Sequence, residues 1–360
     1  MNFTDNFSDS SKANLIFMQK NVPVFQNKVY SSKDEAVNAK RGKVELVQST
    51  ESGFVFNKEF NSAIMNYDEN YQNEQSNSLL FRKHLKEVLQ LLKNLGIDGK
   101  KIVEIGCGKG FFFDIMLKDE QNCWGFDPTY EGSNKRIIKE YFGSANNNIN
   151  ADVVILRHTL EHIENPFTFL HSIAKANNYK GYLFVEVPTF DWIINKNAFW
   201  DIFYEHCNYF TEDTLSIMFE KSTTGSFFGG QYIFLWADLS QLRNLIPKNT
   251  FRLYDFLTFE TKLNELKDIV QNNGELAIWG AGAKGSTFLN LLDPERKYIK
   301  YVIDINPAKH HKYIAGTGHP ILPPDKILST PVDGVIVMNN NYISEISSMI
   351  KNNSITLYNL

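Results

Sequence analysis

Three glycines, Gly106, Gly108 and Gly110, stand between a short apolar run and a helix-like one in VEIGCGKGFFFDIM, Val103 to Met116. Glycine at such a turn lets backbone N–H groups approach a ligand closely, and the helix that follows offers the positive end of its dipole. Asp127 closes the next apolar stretch, CWGFD, where a carboxylate can hold ribose hydroxyls. Together these residues describe a nucleotide-type site. A second set, Gly280, Gly282 and Gly285 in LAIWGAGAKGSTFLNLL, has the GxGxxG register, and Asp304 ends the following strand-like run YVIDINP. That turn could in principle take NAD. Lys284 within it is placed to reach a phosphate or to stand solvated at a helix start.

Between the two glycine turns lies RHTLEHI, in which His158, Glu161 and His162 match the HxxEH spacing of an inverted zinc-peptidase signature. Two histidines four apart share a helical face and could grip a metal. Here the run directly follows a buried-type strand and no acidic ligand stands out downstream, so no metal is expected. Arg157 and His158 are expected at the carboxyl edge of that strand, where ligands bind in open α/β sheets, while Glu161 and His162 cap and pack the next helix. HKYIAGTGHP, with His310, His311 and His319, reads as a flexible loop. Cys107, Cys123 and Cys207 lie far apart without CxxC spacing, which excludes a cysteine-rich zinc module and fits a reducing cytoplasm.

The elements that must hold these groups alternate along the chain. LLFRKHLKEVLQLLKNL, residues 79–95, has apolar positions at helical spacing and ends at Gly96. Strands are expected at 101–105, 122–126, 152–156 and 182–187, with helices at about 110–118 and 163–176; this alternation predicts a parallel sheet covered by helices. Aromatic, β-like runs at 206–211 and 226–237 would add antiparallel strands at one edge. A charged helix at about 250–272 leads to the second glycine turn, and GVIVMNN and SITLYNL complete a small α/β domain. The fold class is therefore α/β, with a Rossmann-like core, a second Rossmann-like C-terminal domain and a small N-terminal segment. The expected divisions are 1–78, 79–240 and 241–360.

The chain has 360 residues, 43% hydrophobic and 22% charged, with a formal charge of −4 and no clustered basic tract. That balance argues against a general nucleic-acid binder. No apolar run approaches the roughly 20 residues of a membrane span, and the first residues, MNFTDNFSDSSKANLIF, lack the basic and apolar regions of a secretory signal. A cytoplasmic protein that could pair as a homodimer is expected.

VEIGCGKG, GFDP, ADVVILRHTLEHIENPFTFL and YLFVEVP follow one another as the ordered motifs of the class I S-adenosylmethionine-dependent methyltransferases, which this region resembles. The resemblance implies S-adenosylmethionine as cofactor and S-adenosylhomocysteine as product. It places Glu104, Gly106, Cys107, Gly108, Gly110, Phe111, Asp127, Pro128, Arg157 and His158 around the cofactor, with Glu104 orienting the loop or the methionine ammonium. FYEHCNYFT, together with GAGAKGSTFLN and VIDINPAKHHKYIAGTGHPILPPDKI, resembles the sugar C-methyltransferase family over roughly residues 60–340. That family acts on nucleotide-linked keto-deoxysugars and joins an N-terminal zinc-binding piece to a methyltransferase core and a Rossmann-like C-terminal domain. Carried over by motif, Tyr204, Glu205 and His206 sit beside the substrate, with His206 as the base. Methylating carbon requires loss of a proton alpha to a ketone, which suits an imidazole, and a nearby Tyr or His can stabilise the oxyanion. Tyr67 and Tyr71, in NYDENYQNEQS, resemble the family's segment leading into the core and are candidates to cover cofactor or substrate, with Gly282, Lys284 and Asp304 binding substrate from the C-terminal side. The chain departs from the family at VQSTESGFVFN, where Ser49 and Ser52 stand in place of paired zinc cysteines; serine supplies no thiolate.

The expected activity is methyl transfer to a small-molecule sugar or nucleotide sugar, with neither nucleic acid nor membrane as partner. His158 is the competing base if the acceptor is an alcohol and the reaction an O-methylation. A nicotinamide-dependent oxidoreductase using the second glycine turn, and a non-catalytic protein retaining the fold, are the readings from other classes.

Overall fold

The computed structural model describes residues 5–65, 67–68, 70–119, 121–142, 150–248, 250–254, 256–350 and 355–360. Its centre is a seven-stranded sheet in the order Thr223–Phe227, Tyr232–Asp238, Tyr182–Pro188, Val153–Arg157, Lys101–Ile105, Asn122–Phe126, Ile137–Ile138. The last five strands in this order run parallel to one another. Tyr232–Asp238 is antiparallel to both of its neighbours. The chain leaves Lys101–Ile105 toward one side of the sheet and later returns to its other side at Val153–Arg157, creating a switch point where the connections diverge and a ligand crevice opens.

The helix Leu79–Asn94 covers one face because Phe81, His84, Leu85, Val88, Leu89 and Leu92 all point inward, the three-and-four spacing of an amphipathic helix. Ser78 begins it by accepting the Phe81 N–H at 3.1 Å, and Gly96, at φ +87°, lets the chain turn away in the left-handed conformation. Phe111–Lys118 and Pro166–Ala176 follow their strands as expected, the latter starting on a proline that needs no N–H partner there.

The C-terminal unit is a five-stranded parallel sheet in the order Ile321–Leu322, Ile299–Ile303, Leu276–Trp279, Gly334–Val337, Thr356–Asn359. It repeats the switch-point arrangement around Leu276–Trp279. The helix expected at about 250–272 spans Leu257–Asn272. Asp255 and, in SITLYNL, Ser354 lie outside the described residues.

Two expectations are corrected. The run 206–211 does not extend the central sheet. Asn208–Tyr209 pairs with Val55–Asn57 and so completes a four-stranded antiparallel sheet with Ala13–Pro23 and Arg41–Ser49. Alternation of side chains could not reveal which edge these two residues would join. HKYIAGTGHP is not a loose loop: Tyr313–Ile314 pairs with Val29–Tyr30, and Thr317 and His319 are buried. In the N-terminal sheet, Ser49 and Ser52 use their hydroxyls to build the hairpin turn. Ser49 Oγ accepts the Ser52 N–H at 3.1 Å, and Ser52 Oγ donates to the Phe7 carbonyl at 3.1 Å. Phe7 stacks on Phe54 at 4.0 Å beside them, so an aromatic pair and hydroxyl hydrogen bonds organise this hairpin.

Candidate active site

Both glycine turns open into one cleft of about 370 Å³ between the central sheet and the C-terminal unit. At the first turn Gly106 has φ +78°, and a Cβ there would lie 2.2 Å from Thr159 Oγ1; only glycine fits. Asp127 does not line the cleft. One of its oxygens accepts the Gly108 N–H at 2.7 Å and the other accepts the N–H and hydroxyl of Thr129, so it braces the loop from behind. Gly110 and Pro128 likewise stand outside the lining, Gly110 as the left-handed residue that starts helix Phe111–Lys118. Glu104, Gly106, Cys107, Gly108, Phe111, Arg157 and His158 do line it.

Glu104 is buried and its Oε2 has no hydrogen-bond partner. Burial pushes its carboxyl up to about 7, against the pull of Arg157. Arg157 is also buried, with its guanidinium 4.5 Å over the Phe112 ring and its Nη2 unpartnered. An orphaned anion and an orphaned cationic donor on one wall are complementary to a zwitterionic amino-acid end, which the methionine moiety of the expected cofactor carries. Burial pushes the Cys107 thiol up, so it is a packing residue here and not a thiolate.

His206 lines the cleft, its ring 4.8 Å from His162 and 4.2 Å from Phe203. Burial, with His162, His158 and Lys284 adding like charge, drops its imidazole well below the usual range, so it is neutral and can accept a proton. Glu161 and His162 do not cap the following helix as expected; they line the cleft. Both Glu161 carboxylate oxygens are buried without hydrogen-bond partners, and His158 Nδ1 lies 3.5 Å away. His162 Nδ1 is 2.8 Å from the Glu205 carbonyl; donation there leaves Nε2 as the acceptor. The short turn at Leu160–His162, which interrupts the strand-to-helix connection, is what swings these side chains inward. His158 takes a positive φ of 49° at that bend, an uncommon conformation for a residue with a Cβ.

Tyr204 and Glu205 do not stand with His206. The Tyr204 ring is buried against Gly42, and its hydroxyl joins the Asn61 N–H and the Glu59 carbonyl. Tyr204 and Glu205 form a tight turn, which carries their side chains away from that of His206. Glu205 is fully buried; it accepts the N–H groups of Gln26 and Asn27, the Asn27 side-chain amide and the Tyr71 hydroxyl. Asn27 in turn accepts the Ala283 N–H at 3.0 Å. The N-terminal segment is thereby tied to the segment bearing His206 and to the second glycine turn. Tyr71 lines the cleft, whereas Tyr67 packs behind it at 4.7 Å.

At the second turn Gly282, Lys284 and Asp304 line the cleft. Gly285 is required because a Cβ would sit 2.0 Å from the Gly280 carbonyl oxygen. Lys284 is paired with Asp201 at 2.5 Å, so it is neither solvated nor aimed freely at a phosphate. Asp304 accepts the Ala281 N–H at 2.8 Å and lies 3.2 Å from Lys309 Nζ. Sequence reasoning missed Glu186 and His84, which are buried in contact with one another, Glu186 also pairing with Arg157. The signals were a lone acid within YLFVEVP and a histidine on the apolar stripe of the helix Leu79–Asn94.

Residues 76–222 match the family model described as a methyltransferase domain, and residues 257–355 match the C-methyltransferase C-terminal domain. With the fold and the glycine-loop cleft, these matches define a class I S-adenosylmethionine-dependent methyltransferase that resembles the C-methyltransferases. Among curated proteins it is similar to the C-methyltransferase NovU of Streptomyces niveus, 22% identical over 304 residues that span 73% of this chain and 72% of NovU. Solved structures similar to the core include an S-adenosylmethionine-dependent methyltransferase of Thermotoga maritima, a possible histamine N-methyltransferase, at 20% identity and TM-score 0.34, covering 44% of this chain and 90% of that one. The plantazolicin methyltransferase BpumL with S-adenosylhomocysteine is another, at 14% identity and TM-score 0.36, covering 46% and 85%.

Proposed function

We propose that the protein transfers a methyl group to a carbon atom of a nucleotide-linked keto sugar, with His206 as the base. The observation that carries this reading is the place of His206: neutral, half-buried, and lining the cleft into which both glycine turns open. Bound S-adenosylmethionine supplies an electrophilic methyl group on a sulfonium. Glu104 and Arg157 hold its amino-acid end, and the loop from Gly106 to Gly108, braced by Asp127, takes the adenosine side. His206 removes the proton alpha to the acceptor's ketone, leaving the electron pair as an enolate whose carbon is the nucleophile. Glu161, the carboxylate beside His206 and His162, stabilises the imidazolium so formed. Gly282, Asp304 and Tyr71 face the acceptor from the C-terminal side, while Lys284 acts through its bridge to Asp201. The division at 78 and 240 is part of the same reading, as are a cytoplasmic location and a homodimeric assembly; no described helix is long and apolar enough to cross a membrane.

The test uses a nucleoside-diphosphate-linked 4-keto-6-deoxyhexose in deuterated water. Exchange of an acceptor α-proton, abolished in His206→Asn while S-adenosylhomocysteine affinity holds within about twofold, supports carbon methylation. Methyl transfer to a hydroxyl without exchange favours O-methylation with His158 as base.

A further inference from the structure

The cleft wall rests on a buried Arg157–Glu186–His84 cluster that the proposed chemistry does not use. Glu186, the acid in the strand Tyr182–Pro188, has no exposed surface. Its Oε2 accepts from Arg157 Nε at 2.7 Å, and its Oε1 lies 2.6 Å from His84 Nε2. Burial by itself would raise this carboxyl, but Arg157 and His84 hold it well below the usual carboxylate range. His84 is itself enclosed by Phe81, Phe228 and Tyr232. Burying a carboxylate is costly, and replacing a buried ion pair by apolar side chains is often neutral or stabilising, so the fold alone gives little reason for this cluster.

What the cluster does is visible at its far end. Glu186 grips one edge of the Arg157 guanidinium and Phe112 covers its face, so the plane is fixed on two sides. The remaining Nη2 is buried and unpartnered on the wall that also carries the unpartnered Oε2 of Glu104. A structural pair would satisfy its donors internally; this one leaves a directed donor unused. We propose that Glu186 and His84 are positioning residues that aim Arg157 at the α-carboxylate of the cofactor's methionine end, opposite the ammonium taken by Glu104. The inference rests on the reading that the cofactor's amino-acid end occupies this wall.

The experiment compares two ligands by calorimetry on the full chain. S-adenosylhomocysteine carries the amino-acid end, and 5′-methylthioadenosine shares the adenosine and sulfur but lacks both carboxylate and ammonium. Glu186→Gln should weaken S-adenosylhomocysteine about tenfold or more, the loss expected for a misaimed charge-assisted hydrogen bond, and leave methylthioadenosine within about twofold. Arg157→Met should show the same selectivity, and the double variant no further loss. His84→Gln, which keeps the Arg157–Glu186 pair, should show a smaller loss of the same selectivity; it decides the matter if Glu186→Gln fails to fold. Equal weakening of both ligands, or of neither, overturns the positioning role. Wild-type protein that binds neither ligand overturns the cofactor reading instead, and wild-type protein that binds both equally well removes the amino-acid end from this wall.

Discussion

The proposed pairing of Glu104 with the cofactor's ammonium makes cofactor affinity depend on pH in a calculable way. Its carboxyl is buried, which raises it to about 7 from 4.5, and a ligand ammonium can pair with it only once it is ionised. If ionisation must precede binding, affinity for S-adenosylhomocysteine should fall about tenfold per unit as pH drops below about 6 and level off above about 7.5. Between pH 8 and pH 6 the change is about tenfold, or roughly 1.4 kcal/mol. The folded state's raised value also carries a stability consequence. A group whose carboxyl is raised on folding supports the fold below about 4.5 and loses that support as pH climbs through about 7. The ligand-free protein at pH 8 therefore carries a burial cost of up to about 3 kcal/mol at this residue. Glu104→Gln should remove that cost, melting higher than wild type at pH 8 without ligand, while binding S-adenosylhomocysteine more weakly and with a flat pH profile. Calorimetry from pH 5.5 to 8 in buffers of different ionisation enthalpy reads both the affinity and the proton released on binding, with methylthioadenosine as the pH-independent control. A wild-type profile that is flat, or a slope that persists in Glu104→Gln, would refute the reasoning.

Gly106→Ala forces a left-handed backbone onto a residue with a Cβ and drives that carbon against Thr159; a loss of about 1–3 kcal/mol and of cofactor binding should appear together in a ligand-dependent melting assay. Gly285→Ala meets a backbone carbonyl and should lower the melting temperature while leaving S-adenosylhomocysteine affinity, measured below that transition, unchanged. Tyr204→Phe loses hydrogen bonds to Asn61 and Glu59 only, so it should cost about 1 kcal/mol in denaturant unfolding with turnover nearly intact. A collapse of turnover at full stability would return Tyr204 to the chemistry.

Much of the scaffold was legible because its signals are local. The strands at 101–105 and 122–126 and the helix from residue 79 follow from runs of apolar residues at fixed spacing, and Gly106 and Gly285 from the steric demands of a tight turn. The candidate site was legible only where one residue type forces one role. His206 could be named, but sequence could not show that its neighbours Tyr204 and Glu205 face away, since their partners Asn61, Glu59, Gln26, Asn27 and Tyr71 come from segments remote in sequence. Nor could it show Glu161 and His162 turned inward, because a single short turn at Leu160–His162 reverses their direction. The partner of Lys284 could not be read for a similar reason, since Asp201 comes from a segment remote in sequence. Glu186 and His84 left faint marks, each a polar residue in an apolar pattern, and pairing them required two elements to be packed first.

The bond from Ala283 to Asn27 joins residues 256 positions apart. During synthesis the strands that carry the first glycine loop emerge and can pair long before residue 283 leaves the ribosome. The other half of the cleft has to wait, since the segment bearing His206 is anchored through Glu205 to a piece that the second glycine turn finally pins. Non-local contacts of this kind form slowly. A nascent chain would thus fold its first glycine loop early and close the cleft last.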